Sequence, residues 1–246
     1  MTSATEPTKG AEGRRSATLG ANFVHPPLAW PAYKSTVLRA PGRRLAGLPP
    51  GLVAPGPGTE ALLGDHPLGP HDHDLTRQHD GEPIGERIVV HGTVRDAGGR
   101  PVPHSLIEIW QTNSAGRYPH HADRHPAPLD PNFTGVGRCL TDAQGHYRFI
   151  SVKPGAYPWR NHDNAWRPAH IHFSLFGQAF THRLITQMYL PGDPLFSQDP
   201  IFNAVPEAAR PALVSGFDLS ETVPEWALGY RFDIVLGTTP FEQEGA

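Results

Sequence analysis

The chain has 246 residues and carries 21 Lys and Arg against 24 Asp and Glu, so it offers no electrostatic footprint for nucleic acid or an anionic membrane surface. Its hydrophobic fraction of 38% is that of a globular protein, while 28 Pro and 26 Gly point to loops and turns and away from a helical bundle. The single cysteine, Cys139, excludes an internal disulfide and a Cys-based zinc or iron–sulfur centre.

In chain order, residues 1 to about 20 are small and polar, with no periodicity and no apolar core of a signal peptide, which predicts a mobile tail. No apolar run approaches the roughly 18 residues of a membrane span, and a cytoplasmic protein is expected. The next stretch, "HPPLAWPAYKSTVLRAPGRRLAGLPPGLVAPGPG" and onward to about residue 80, is Pro- and Gly-rich but keeps aromatic and aliphatic anchors. Such a segment reads as an ordered arm that wraps a surface and meets a partner subunit. "GPHDHDLTRQHD" (69–80) has the composition of a metal site, with His71, Asp72, His73 and Asp74, but lacks a strand frame; it is read as a solvated polar loop. "PHHADRH" (119–125) is read the same way.

From residue 85 the pattern changes. "GERIVVHGTVRD", "SLIEIWQTN", "HYRFISVKPG", "AHIHFSLFG", "RLITQMYL" and "YRFDIVLG" are short β-rich runs bounded by Gly, Pro, Asn and Asp. "DAGGRPVP" and "TDAQGHY" are turn sequences that join antiparallel strands. The one helical stretch, "PEAARPALVSGF", is interrupted by Pro211. The fold class is therefore all-β: an antiparallel β-sandwich over residues 85–246, with a long N-terminal tail and arm over 1–84 and few short helices. Parts of this pattern also resemble transthyretin-like and carboxypeptidase-regulatory-like sandwiches, many of which only bind or brace other domains. A reactive constellation on the scaffold has to decide between them.

That constellation starts at "WRPAHIHF" (166–173). Side chains alternate across a strand, so His170 and His172 share a face while Ile171 takes the other. Two tyrosines, Tyr118 in "SAGRYPHH" and Tyr157 in "KPGAYPWRN", lie in Gly/Pro loops, where ligands concentrate on a rigid sandwich. Two phenolates and two neutral imidazoles form a hard, strongly donating set that suits Fe(III). Zinc prefers Cys, His and carboxylate, and Fe(II) oxygenases use two His and one carboxylate.

With these residues in view, the chain resembles the intradiol ring-cleavage dioxygenases, and within them the β-subunit type acting on protocatechuate. The resemblance covers roughly residues 23–240, through "HPPLAWPAYKSTVLRAP", "PIGERIVVHGTVRDAGGRPVP", "IEIWQTNSAGRYPH", "APLDPNFTGVGRCLTDAQGHYRF", "KPGAYPWRNHDNAWRPAHIHF" and "LITQMYLPGDP". It implies Fe(III) ligated by Tyr118, Tyr157, His170 and His172. It further implies a catalytic Arg167, a Tyr157 that doubles as base, and substrate contacts from Tyr33, Trp159, Gln187 and Ile201; Trp110 is read as lying behind these contacts or in the core. The implied reaction converts protocatechuate and O2 to 3-carboxy-cis,cis-muconate, a step of the β-ketoadipate route of aromatic degradation. Catechol and hydroxyquinol are the alternative substrates. Relatives acting on those diols carry a helical N-terminal dimerisation segment where this chain has its Pro/Gly-rich arm. A homologous α subunit is the implied partner, in a hetero-oligomer.

Overall fold

The computed structural model describes residues 24–26, 67–159, 166–176 and 183–236. Eleven strands follow in order: β1 (Arg87–Asp96), β2 (Leu106–Trp110), β3 (Val136–Leu140), β4 (His146–Val152), β5 (Tyr157–Pro158), β6 (Trp166–Arg167), β7 (His170–Phe176), β8 (Arg183–Tyr189), β9 (Gly216–Phe217), β10 (Ala227–Arg231) and β11 (Ile234–Leu236). Four of them, in the order β3-β2-β7-β8, form an antiparallel sheet. A second sheet is built around β1, which pairs antiparallel with β4 on one side and parallel with β10 and then β11 on the other. The sandwich and the scarcity of helix match the sequence reading, but this second sheet is mixed rather than wholly antiparallel. The hand-over from β10 to β11 occurs opposite Gly92, where an added Cβ would stand 1.9 Å from the carbonyl oxygen of Phe232. That carbonyl accepts from the Tyr147 hydroxyl at 2.6 Å, and the Phe232 N–H donates to His91 at 2.8 Å.

The strand period decides what the sheets bury. Val90 and Phe149 of one sheet face Ile107, Ile109, Ile171, Phe173 and Leu175 of the other, all fully buried. Full burial of one such side chain is worth about 1.5–3 kcal/mol. Because Ile171, Phe173 and Leu175 point inward, His170 and His172 must point to the outer face of the same sheet. Register extends this face sideways: His170 lies opposite Tyr189, and His172 lies between Gln187 on one neighbour and Trp110 on the other. On β8, Leu184 and Met188 enter the core, which leaves Gln187 and Tyr189 beside the histidines.

The outer face is roofed by the β5–β6 ribbon and by the segment after β8. That segment holds a 3-10 turn at Phe196–Gln198, a one-turn helix α1 (Pro200–Asn203) and a 3-10 helix at Glu207–Leu213. The last of these is the expected helical stretch; Pro211 sits inside it and the tighter winding replaces a regular α-helix.

The His/Asp-rich segment departs from its reading as a solvated loop. Leu75 is fully buried in the core, and its N–H donates to Ile150 while the Ile150 N–H donates to His73, both at 2.9 Å. Asp72 pairs with Arg138 at 2.6 Å, and the Thr76 hydroxyl donates to Asp74 at 2.6 Å. Asp72 thus ties the segment to β3, and the backbone of His73 and Leu75 ties it to β4. Further upstream, the His25 ring bridges the sheets, with Nδ1 2.8 Å from Thr186 Oγ1 and Nε2 3.0 Å from the carbonyl of Val235. The expected tail over residues 1–20, most of the arm and Tyr33 lie outside the described residues. Cys139 is buried, and burial pushes its thiol up to about 12, so it is an inert packing residue.

Candidate active site

Four aromatic donors converge on the outer face of β7. The Tyr118 and Tyr157 rings meet edge to face at 5.4 Å, Tyr157 and His170 lie 5.4 Å apart, and His170 and His172 4.7 Å apart, all between centroids. Each is held from a different element. His170 and His172 are fixed by β7. Tyr157 sits on β5, opposite Arg167 of β6. Tyr118 comes from the loop after β2, where its N–H donates to Asp123 Oδ2 at 2.8 Å and Gly116, at φ +77°, makes the turn against the carbonyl of Ala156. Trp110 lies flat on the His172 imidazole, with centroids 4.7 Å apart and planes 2° from parallel, which fixes the ring plane.

The chemistry of this set fits a metal ion. His170 Nδ1 lies 2.7 Å from the carbonyl of Pro168, so Nδ1 carries the proton and Nε2 turns its lone pair to the site, where Arg167 Nη1 meets it at 3.0 Å. Burial, and next the Arg167 charge, hold the His170 pKa well below the ordinary histidine value, against an upward pull from Pro168; the imidazole is neutral, the form that ligates metals. The Nε2 atoms of His170 and His172 are 3.1 Å apart. An ion about 2.1 Å from each, the metal–imidazole distance familiar from zinc, would see them at roughly a right angle. Two phenol oxygens complete a hard donor set of the kind that favours a trivalent cation.

Arg167 is fully buried beside this group. Its Nη1 lies 3.0 Å from His170 Nε2 and 3.4 Å from the Tyr157 hydroxyl, and its Cζ stands 5.6 Å from the Trp159 ring centroid. Nη2 donates to Gln187 Oε1 at 2.6 Å. Asp199 takes the other edge, accepting from Nε at 3.2 Å and Nη2 at 2.7 Å. Burial opposes the arginine charge, but Tyr157, Tyr189 and Asp199 outweigh it, and the pKa rises well above the ordinary value. This guanidinium stays charged at any working pH. Trp159 and Ile201 form a small apolar cluster against which Tyr157 packs. Of the residues singled out in the sequence, the structure therefore gathers Tyr118, Tyr157, Trp159, Arg167, His170, His172, Gln187 and Ile201, and Tyr33 lies outside the described residues.

Sequence reasoning missed two members of the network, Asp199 and Tyr189. Both side chains are fully buried, and the Tyr189 hydroxyl lies 2.8 Å from Asp199 Oδ2 and 3.0 Å from Arg167 Nη2. "QDPIF" carries a cap signal, an Asp before a Pro that opens a helical turn, and Asp199 does accept from the Ile201 N–H at 3.1 Å. Nothing local in that signal reveals a partner 32 residues away.

The sandwich thus gathers two tyrosines and two histidines on an outer sheet face, beside a buried arginine. Residues 63–238 match the family model described as Dioxygenase, and residues 23–50 match that of the protocatechuate 3,4-dioxygenase beta subunit N terminal. The chain belongs to the intradiol ring-cleavage dioxygenase family and is an enzyme of that class. It is 57% identical over 227 residues to the protocatechuate 3,4-dioxygenase beta chain of Burkholderia cepacia, covering 89% of this chain and 94% of that one. Its fold is similar to that of 3-chlorocatechol 1,2-dioxygenase from Rhodococcus opacus, with a TM-score of 0.53 and 22% identity over 70% of this chain and 66% of that one. Mercury-inhibited catechol 1,2-dioxygenase from Acinetobacter gives a TM-score of 0.50 and 27% identity over 67% and 56%.

Proposed function

We propose that this chain is the iron-bearing β subunit of an enzyme that cleaves protocatechuate with O2, between its two hydroxyl-bearing carbons, to 3-carboxy-cis,cis-muconate. The observation that carries this reading is the convergence of Tyr118, Tyr157, His170 and His172 around two histidine Nε2 atoms 3.1 Å apart, with the Arg167 guanidinium on the same spot. The resemblance to the Burkholderia cepacia beta chain along almost its whole length supports the choice of substrate and of an α-subunit partner.

Those four side chains would hold Fe(III). When bound, the ion supplies a Lewis-acidic centre on which an aromatic 1,2-diol loses its protons and its ring becomes open to O2. In this reading Tyr157, whose hydroxyl lies 3.4 Å from Arg167 Nη1, takes one of the two diol protons on its phenol oxygen. The Arg167 Nη1 then serves the negative charge that develops on the deprotonated ring. Gln187 supports Arg167 from β8, and Trp159 and Ile201 give the ring an apolar wall. Both oxygen atoms of O2 enter the product, and no external reductant is consumed.

Within the same proposal, residues 85–246 are the catalytic unit and the arm within residues 1–84, Tyr33 included, is the part that meets the α subunit and completes the pocket. The enzyme works in the cytoplasm, as a step of the β-ketoadipate route; among the described residues no helix is long and apolar enough to cross a membrane. The test is a visible absorption spectrum of the iron-loaded protein before and after anaerobic addition of protocatechuate, catechol and hydroxyquinol in turn. A broad tyrosinate-to-Fe(III) band that shifts with protocatechuate at the lowest concentration is expected. A colourless iron-loaded protein would overturn the ligand set, and a stronger response to catechol would overturn the substrate.

A further inference from the structure

The hydrogen bonds around Arg167 are unevenly distributed, and the unevenness has a geometric consequence. A guanidinium is planar and presents its donors along fixed edges. Its Nε/Nη2 edge is occupied by the two oxygens of Asp199, at 3.2 and 2.7 Å. Nη2 also meets Gln187 Oε1 and the Tyr189 hydroxyl. Only Nη1 faces Tyr157 and His170. With two edges of the plane held, the direction of Nη1 is no longer adjustable.

The carboxylate itself is saturated. Oδ1 accepts from Arg167 Nε and from the Ile201 N–H at 3.1 Å, and Oδ2 from Arg167 Nη2 and the Tyr189 hydroxyl at 2.8 Å. Through Ile201 the same group starts α1, whose Ile201 side chain packs with Trp159 and Tyr157. One carboxylate thus ties the cation to the apolar cluster of Ile201, Trp159 and Tyr157. Asp199 and Arg167 are both fully shielded from solvent, so water cannot substitute for either partner.

We propose that Asp199 is a positioning residue for the ring-cleavage reaction: it selects which edge of the Arg167 guanidinium faces the reacting centre and locks the Ile201 wall in the same register. This rests on the reading of Arg167 as the cation that serves the substrate. The expected result for Asp199→Asn is unchanged iron content and a kcat lowered by about 10- to 100-fold, the scale of a sub-ångström misplacement of a catalytic group, with the larger effect on kcat rather than KM. A merely structural role would lower the melting temperature and leave kcat per bound iron intact.

A second measurement needs no folded variant at that position. In the metal-free wild-type protein, the Arg167 side-chain N–H resonances, identified by their loss in Arg167→Lys, should be individually resolved and protected from exchange because both edges are held. Averaged, fast-exchanging Nη signals would overturn the proposal, as would wild-type kcat per iron in Asp199→Asn. The two levels of the argument separate cleanly. If Arg167→Ala also turns over normally, it is the role of Arg167 that fails; if Arg167→Ala is crippled while Asp199→Asn is not, the positioning role of Asp199 fails alone.

Discussion

Removing the Arg167 side chain should damage the protein in two separable ways. Arg167→Ala leaves the Asp199 carboxylate buried with only the Tyr189 hydroxyl and the Ile201 N–H to answer it. Breaking a buried ion pair by deleting one partner costs about 3–5 kcal/mol, a large share of the roughly 5–15 kcal/mol that holds a domain together. For a domain of this size each kcal/mol moves the melting midpoint by about 2–4 °C, so a fall of about 6–20 °C is expected. The chemical loss is distinct. Nη1 is a charged donor aimed, in a water-excluded site, at the place where negative charge develops, and deletion of such a donor costs about 100- to 1,000-fold in kcat. Iron content should stay near that of the wild type, because Arg167 is not among the four donors. The assay is O2 uptake per bound iron, measured far below the lowered midpoint, with metal content and thermal melts taken on the same samples. Undiminished turnover per iron in a folded, destabilised variant would refute the reasoning, since it would make Arg167 a brace and nothing more.

Tyr157→Phe removes one phenol oxygen from a half-buried side chain and keeps its ring. Partial iron retention and a loss of about 100- to 10,000-fold in the rate of substrate chelation are expected by stopped-flow absorbance; wild-type chelation would remove its role as base. His172→Ala should lose most bound iron on metal analysis, and full occupancy would contradict its place among the ligands. His25 gives a pH signature. Burial lowers its pKa in the folded state, so the unfolded chain takes up the proton first. The stability contributed by neutral His25 is complete above its unfolded pKa of about 6.5 and declines as the pH falls below it. Denaturant midpoints across this range should lose that part of their slope in His25→Phe; an identical slope in the variant would count against it.

How much of this was legible beforehand follows from the range over which each signal acts. The histidine pair was readable because strand alternation is local: Ile171 inward forces His170 and His172 outward together. Tyr118 and Tyr157 had no such frame. Their Gly/Pro loops marked them as available, and only the matched motifs of a known family, or the fold itself, brings them to β7. Asp199 and Tyr189 escaped because their meaning lies in a partner on another element; the visible feature of Asp199, its cap, was real and yet the lesser half of its work. The segment 69–80 misled for the opposite reason, as its polar composition concealed one core anchor, Leu75, and two carboxylates already paired, Asp72 with the distant Arg138 and Asp74 with Thr76 beside it. The parallel pairing of β1 with β10 and β11 left no trace in the pattern, since hydrophobic alternation tells which face is buried and says nothing about which strand lies alongside.

That pairing also bears on how the molecule is made. Thr93 and Asp233, joined through the Thr93 N–H, are 140 residues apart, and β1 cannot acquire its second edge until nearly the whole chain has left the ribosome. The sheet β3-β2-β7-β8 has no such dependence, because its last strand ends at Tyr189. The face that carries the two histidines can therefore assemble while β1 still exposes one open edge, and the closing strands act as a late zipper on the opposite sheet. Shortening the chain before Ala227 would leave that edge bare, a template for pairing with the wrong neighbour, so truncation should first appear as aggregation during synthesis rather than as a folded but inactive enzyme.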